Sequence, residues 1–295
     1  RRWGAELMPL DLRDCTFHGP AIPEPFVKFQ LEGELAKRKL LPKATGEEGR
    51  VLEARWDVYR RKLRALGEQG GDRRVASHVL EPLGERLGYG PLARQAEVIT
   101  REGTEDGGWL FTVGDGAGGG AGDGAGEVVG AAAGTGRVLR AWAVGLGIDL
   151  DAPTRRGGAY RFSPSRVAQR VLLAKGERVG LLTDGEELRI LLCDPARPDS
   201  HIAIRLDRSG GWRAAFNLPD SYRLLLALAS PAGVAALPDL AEAARLAQNT
   251  VTKKLRLQAR RAIEGFVQEI LDHPENEHVR TESTDPAVLA ATLWR

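Results

Sequence analysis

Three groups of residues in this chain are of types that could do chemistry on a polyanion. Glu97, Asp106, Asp149 and Asp151 are the carboxylates from which a Mg²⁺ site could be assembled, because a hard cation takes oxygen ligands and two acids can hold it beside a phosphate. Arg155-Arg156-Gly157-Gly158, followed by Tyr160-Arg161, combines glycines that let backbone approach a phosphate with guanidinium groups that make charge-assisted contacts. Lys253, Lys254, Arg256, Arg260 and Arg261 gather within a few turns of a helical pattern, and Arg50, Arg55, Arg60, Arg61, Lys62 and Arg64 crowd another. An ordinary basic loop and solvated helix faces explain the cations equally well.

Other candidates carry less. His201 has no visible catalytic partner and reads as a strand-end surface residue. Cys15 and Cys193 are too far apart in sequence to suggest a disulfide framework or a metal knuckle. The glycine spacing in residues 129–136 imitates a dinucleotide loop. The run before it, residues 114–136, is low-complexity glycine and alanine rather than a buried strand, so a flexible insertion is the better reading.

The elements that must position these residues are clearest between residues 160 and 192. Ser163-Pro164 opens a helix over residues 163–174, with Val167, Val171 and Leu172 on one stripe. Two apolar runs then flank Thr183-Asp184-Gly185-Glu186, and Asp-Gly between such runs is a strong hairpin signal. Upstream, residues 95–100, 108–113 and 138–144 read as strands, and 201–206 as another. Helices are expected over residues 26–40, 47–66, with Val51, Leu52, Ala54, Val58, Leu63 and Leu66 inward, and 75–87, stopped at Gly88. A helix over 222–229 and a long one over 240–271 follow. The long one carries Val251, Leu255, Ala259, Ala262, Phe266 and Ile270 as a continuous apolar stripe, expected to pack on the sheet.

GLLTDGEELRILL, together with Ile148-Asp149-Leu150-Asp151, Ser163-Pro164 and Gln169 upstream, resembles the nuclease-like N-terminal region of large restriction-modification and phage-defence (BREX- or DISARM-type) adenine-specific DNA methylases. The resemblance covers roughly residues 75–270 and implies a restriction-endonuclease-like α/β fold, a central mixed sheet with flanking helices. Hydrolysis in that fold needs an acid on one strand and an acid-x-lysine on the next. Registered on Leu150-Asp151 and the hairpin, the latter positions are Trp142-Ala143-Val144, whose side chains neither bind metal nor activate water. The strand over 108–113 carries no acid, and the tyrosine some relatives place four residues after the glutamine is Leu173. The centre is therefore expected to be degenerate, with Glu97, Asp149 and Asp151 as fallback acids.

The expected organisation is an N-terminal arm and basic helix over 1–74, a nuclease-like domain over 75–232, and a C-terminal helical segment over 233–295 leading to a downstream domain. That domain, by the resemblance, would be an S-adenosylmethionine-dependent methyltransferase; no Asn-Pro-Pro-Tyr-type motif lies in residues 1–295. The expected partners are double-stranded DNA and other subunits of such a system. The net charge of +2 says nothing about nucleic acid, so any site must come from local clustering. No apolar run spans a bilayer and no signal peptide opens the chain, so the cytoplasm is expected and no membrane partner. Two rival readings remain: an active Mg²⁺-dependent endonuclease with displaced acids, and a protein-interaction scaffold without nucleic-acid binding.

Overall fold

The computed structural model describes residues 10–113, 139–153, 162–194, 197–206 and 218–276. The chain forms two compact units, residues 1–245 and 246–295.

The first unit is an α/β domain. Its elements are β1 (Cys15–His18), α1 (Glu24–Phe29), α2 (Leu31–Lys37), α3 (Gly46–Ala65), α4 (Asp72–Val75), a π-helical turn (Ala76–Leu80), α5 (Glu81–Leu87), β2 (Tyr89–Arg94), β3 (Val98–Thr100), β4 (Gly103–Glu105), β5 (Trp109–Val113), β6 (Leu139–Ala143), α6 (Pro164–Lys175), β7 (Val179–Thr183), β8 (Glu187–Asp194), β9 (Arg197–Arg205) and α7 (Asp220–Ala229). Helix α8 (Pro231–Asp272) begins in it. Seven strands make a mixed sheet in the order β1-β9-β8-β7-β6-β5-β2. Every neighbouring pair is antiparallel except β6 and β7, which run parallel and are joined through α6.

The sheet is covered on both faces. Phe111 stands opposite Leu139 on adjacent strands and packs under α5, where the absence of a side chain at Gly84 admits the ring. The alternate face, carrying Trp142, Leu182, Leu191 and Cys193, packs under Ala168, Val171 and Leu172 of α6. All five residues of β6 are buried.

Local sequence explains the best-defined pieces. The Ser163 hydroxyl accepts the Arg166 amide at 3.3 Å, capping α6, and Gly176 ends it with a φ of 68°. In the β7–β8 turn Asp184 accepts the amides of Glu186 and Glu187 at 2.9 and 2.8 Å, and Gly185 takes a φ of 90°. Gly88 closes α5 with a φ of 83°.

Several expectations are corrected. The N-terminal segment is not a surface arm: β1 is an edge strand paired with β9, and Ala21, Ile22, Phe26, Leu31 and Leu35 are buried. The helix expected over 26–40 is two helices, broken at Gln30 where φ swings to −134°. The inward face of α3 is Leu52, Trp56, Tyr59 and Leu63, leaving Val51 and Val58 exposed and drawing Arg60 inward to 5% exposure. Aromatic rings decided this: Trp56 and Tyr59 pack against Tyr222 of α7. The strand expected over 95–100 shortens to β3, which pairs only with β4, while the sheet takes β2 instead. Pro91 argues against a strand, but β2 is an edge strand with an irregular register between Tyr89 and Leu92, where a missing N–H is tolerated. The tract 114–136 lies outside the described residues.

Candidate functional site

The interior strand β6, between its antiparallel neighbour β5 and its parallel neighbour β7, carries a buried indole. Trp142 is 4% exposed, on an interior strand, and Val144 packs partly buried against the same cluster one step past the strand end, its amide donating to Thr183 at 2.9 Å. Glycines on both neighbouring segments make room for the indole. A Cβ on Gly180 would meet a ring carbon of Trp142 at 3.1 Å, and one on Gly108 would meet its Nε1 at 2.8 Å. The indole therefore fills the space that side chains on Gly108 and Gly180 would otherwise take.

The fallback acids are engaged elsewhere. Asp106 pairs with Arg94 at 3.0 Å and accepts the Gly108 amide at 2.9 Å. Asp149 is exposed and accepts the backbone amides of Asp151 and Ala152, closing a local turn. Glu97 is exposed between β2 and β3. Asp151 makes a two-pronged pair with Arg189 at 2.7 and 2.8 Å. That guanidinium beside Asp151 holds its carboxyl below the usual carboxylate range. Among the described residues no group of three histidine, cysteine or acidic side chains could hold a metal ion.

Arg189 is the residue the sequence reading missed. It is 8% exposed, donates also to Ser165 at 2.9 Å and Glu187 at 2.6 Å, and so ties β8 to the start of α6 and to the loop after β6. Its signal was an arginine inside the otherwise apolar run Leu188–Leu192, which marks a buried charge that must find partners. Arg140 and Arg170 were also missed. Arg140 forms a two-pronged pair with Glu177 at 2.8 Å and donates to the Gly107 carbonyl at 2.7 Å. Arg170 reaches Glu102 at 2.6 Å, Glu105 at 3.2 Å and the face of Phe162 at 4.0 Å. Arg189 through Ser165 and Arg140 through Glu177 hold the two ends of α6 to the sheet face that carries Trp142, whereas Arg170 ties α6 to the β3–β4 pair.

His201 is not a strand-end surface residue. It is half-buried within β9, its ring stacked on that of His18 at 4.5 Å. Burial, with Arg189 nearby, depresses its pKa to about 4, so it is neutral at ordinary pH. Both cysteines are free and buried, and burial pushes their thiols up to about 12 for Cys15 and about 11 for Cys193, which makes them poor nucleophiles.

Of the basic groups, Arg155, Arg156 and Arg161 lie outside the described residues. Lys253, Lys254, Arg256, Arg260 and Arg261 are all exposed on α8, Arg260 being paired with Glu264 at 2.6 Å. Arg50, Arg55, Arg61, Lys62 and Arg64 are exposed on α3. The apolar stripe of the long helix is a further correction. Val251, Leu255, Ala259, Ala262 and Phe266 are exposed. No single described helix is long and apolar enough to cross a membrane.

Comparison with protein families, with curated proteins and with solved structures finds no match to this chain.

Proposed function

We propose that this chain is a cleavage-inactive, restriction-endonuclease-like module that holds double-stranded DNA, the front part of an S-adenosylmethionine-dependent adenine methylase of the restriction or phage-defence kind. The observation that carries the reading is Trp142, buried on an interior strand under α6, with Val144 partly buried just past the strand's end, at the two positions where the resemblance would put an acid and a lysine. Gln169, the glutamine of the resemblance, is buried on the same helix. The solvated cations of α8 and α3 would meet phosphates, giving affinity without sequence preference. Test: purified chain is incubated with plasmid and Mg²⁺ or Mn²⁺. The reading expects the plasmid retained on the protein at low salt and recovered uncut. Metal-dependent cutting abolished by substitution of Glu97 or Asp149 would replace it with the active-endonuclease reading, and failure to retain DNA at low salt would favour a protein scaffold.

A further inference from the structure

The exposed stripe of α8 has a symmetry that its length alone does not require. Val251, Leu255, Ala259, Ala262, Phe266 and Ile270 are spaced 4, 4, 3, 4 and 4 residues apart, the same read from either end. Their sizes are also symmetric, with large residues outside and two alanines at the centre. All but the half-buried Ile270 are exposed, Leu255 at 58% and Phe266 at 63%.

We propose that the segment 246–272 pairs antiparallel with the same segment of a second copy of this chain. In that arrangement Val251 meets the second copy's Ile270, Leu255 meets its Phe266, and Ala259 meets its Ala262. The alanines let the two axes approach at the two-fold, as an isologous contact demands. The segment is about 40 Å long at 1.5 Å per residue, enough for several repeated layers of contact. Charge favours the antiparallel sense. Lys253, Lys254 and Arg256 precede the centre, whereas Glu269 and Asp272 follow it. Antiparallel pairing sets Lys254 within a turn of the partner's Glu269, twice by symmetry, while parallel pairing would set like charges together. Lys253 and Arg260 lie on the other side of the helix and stay in water, whereas Arg261, seven residues after Lys254, shares its flank. Pairing therefore leaves a basic surface on both copies, and it does not depend on the DNA reading.

The test uses the full chain. Light scattering or sedimentation at tens of micromolar should give twice the 31.9 kDa of one chain. Leu255→Asp with Phe266→Asp should halve the mass and leave the thermal transition of the α/β unit in place. Lys254→Glu should weaken the dimer, and Lys254→Glu with Glu269→Lys should restore it. Under oxidising conditions Val251→Cys with Ile270→Cys should cross-link two chains, and Val251→Cys alone should not. A monomer at every concentration, a dimer that survives the double aspartate variant, or cross-linking by Val251→Cys alone would each overturn the proposal.

Discussion

Trp142 donates its indole N–H to the backbone carbonyl of Asp106 at 3.0 Å, so this interior side chain is tied to the segment that leads into β5. A position used this way is part of the core. Trp142→Ala should lower stability by about 3–5 kcal/mol through cavity formation, and Trp142→Phe by about 1–3 kcal/mol because the Asp106 carbonyl loses its donor. Urea denaturation of both variants measures the two costs.

Gly185 should be intolerant of any side chain. Its φ of 90° is strained for other residues, and a Cβ there would lie 2.9 Å from Leu146 and from Leu66. Gly185→Ala should cost at least about 1 kcal/mol and Gly185→Val more, whereas changes at exposed Glu186 should stay within about 0.5 kcal/mol. Thermal melts of the three variants compare these.

Gly185 also marks how far the sequence could be read. The β7–β8 hairpin, the Ser163 cap and the Gly88 stop were legible because each depends on a local backbone demand met by one residue type. The strand that carries Trp142 was legible from its pattern over 138–144, but its burial on both faces was not, as nothing local distinguishes a packed indole from an exposed one. Long-range pairing was hidden: β1 joining β9, Arg189 reaching Asp151, and His18 stacking on His201 each join residues separated by dozens of positions. On α3 the expected Leu52, Leu63 and Leu66 are buried, whereas Val51, Ala54 and Val58 are exposed because the larger aromatic rings of Trp56 and Tyr59 take the interior.

His201 should make the fold sensitive to mild acid. Its pKa is depressed to about 4 in the folded protein against an ordinary value of 6.5, so between those values the unfolded chain binds the extra proton. Its contribution to stability is complete above pH 6.5 and is lost as pH falls towards 4. His201→Gln should flatten the stability profile across that window, and the His201 ring should titrate near pH 4 by NMR.

Asp151 should act lower on the same profile. Its carboxyl is held below the ordinary aspartate range by the hydrogen bonds from Arg189, so the pair stabilises the fold above about pH 4 and weakens as pH falls through the depressed folded value. Asp151→Asn should flatten this more acidic limb and, because the Asp151 carboxylate raises the His201 pKa, should push the histidine's titration lower still. Comparing the two variants by denaturant melts at stepped pH separates the histidine from the aspartate.

On the proposed reading, the chain would hold duplex DNA through contacts to its phosphates and leave it uncut. The most direct measurement is the affinity of the full chain for a labelled duplex in Mg²⁺ across a range of salt, with the DNA checked for integrity at each point. The account predicts binding that falls linearly in log–log form with added salt and a shallower slope when Lys253, Lys254, Arg256, Arg260 and Arg261 are replaced by glutamine, each lost phosphate contact reducing the slope by about 0.9. The duplex should remain intact throughout. A slope unchanged by those five substitutions, absence of binding at low salt, or metal-dependent strand breaks would contradict it.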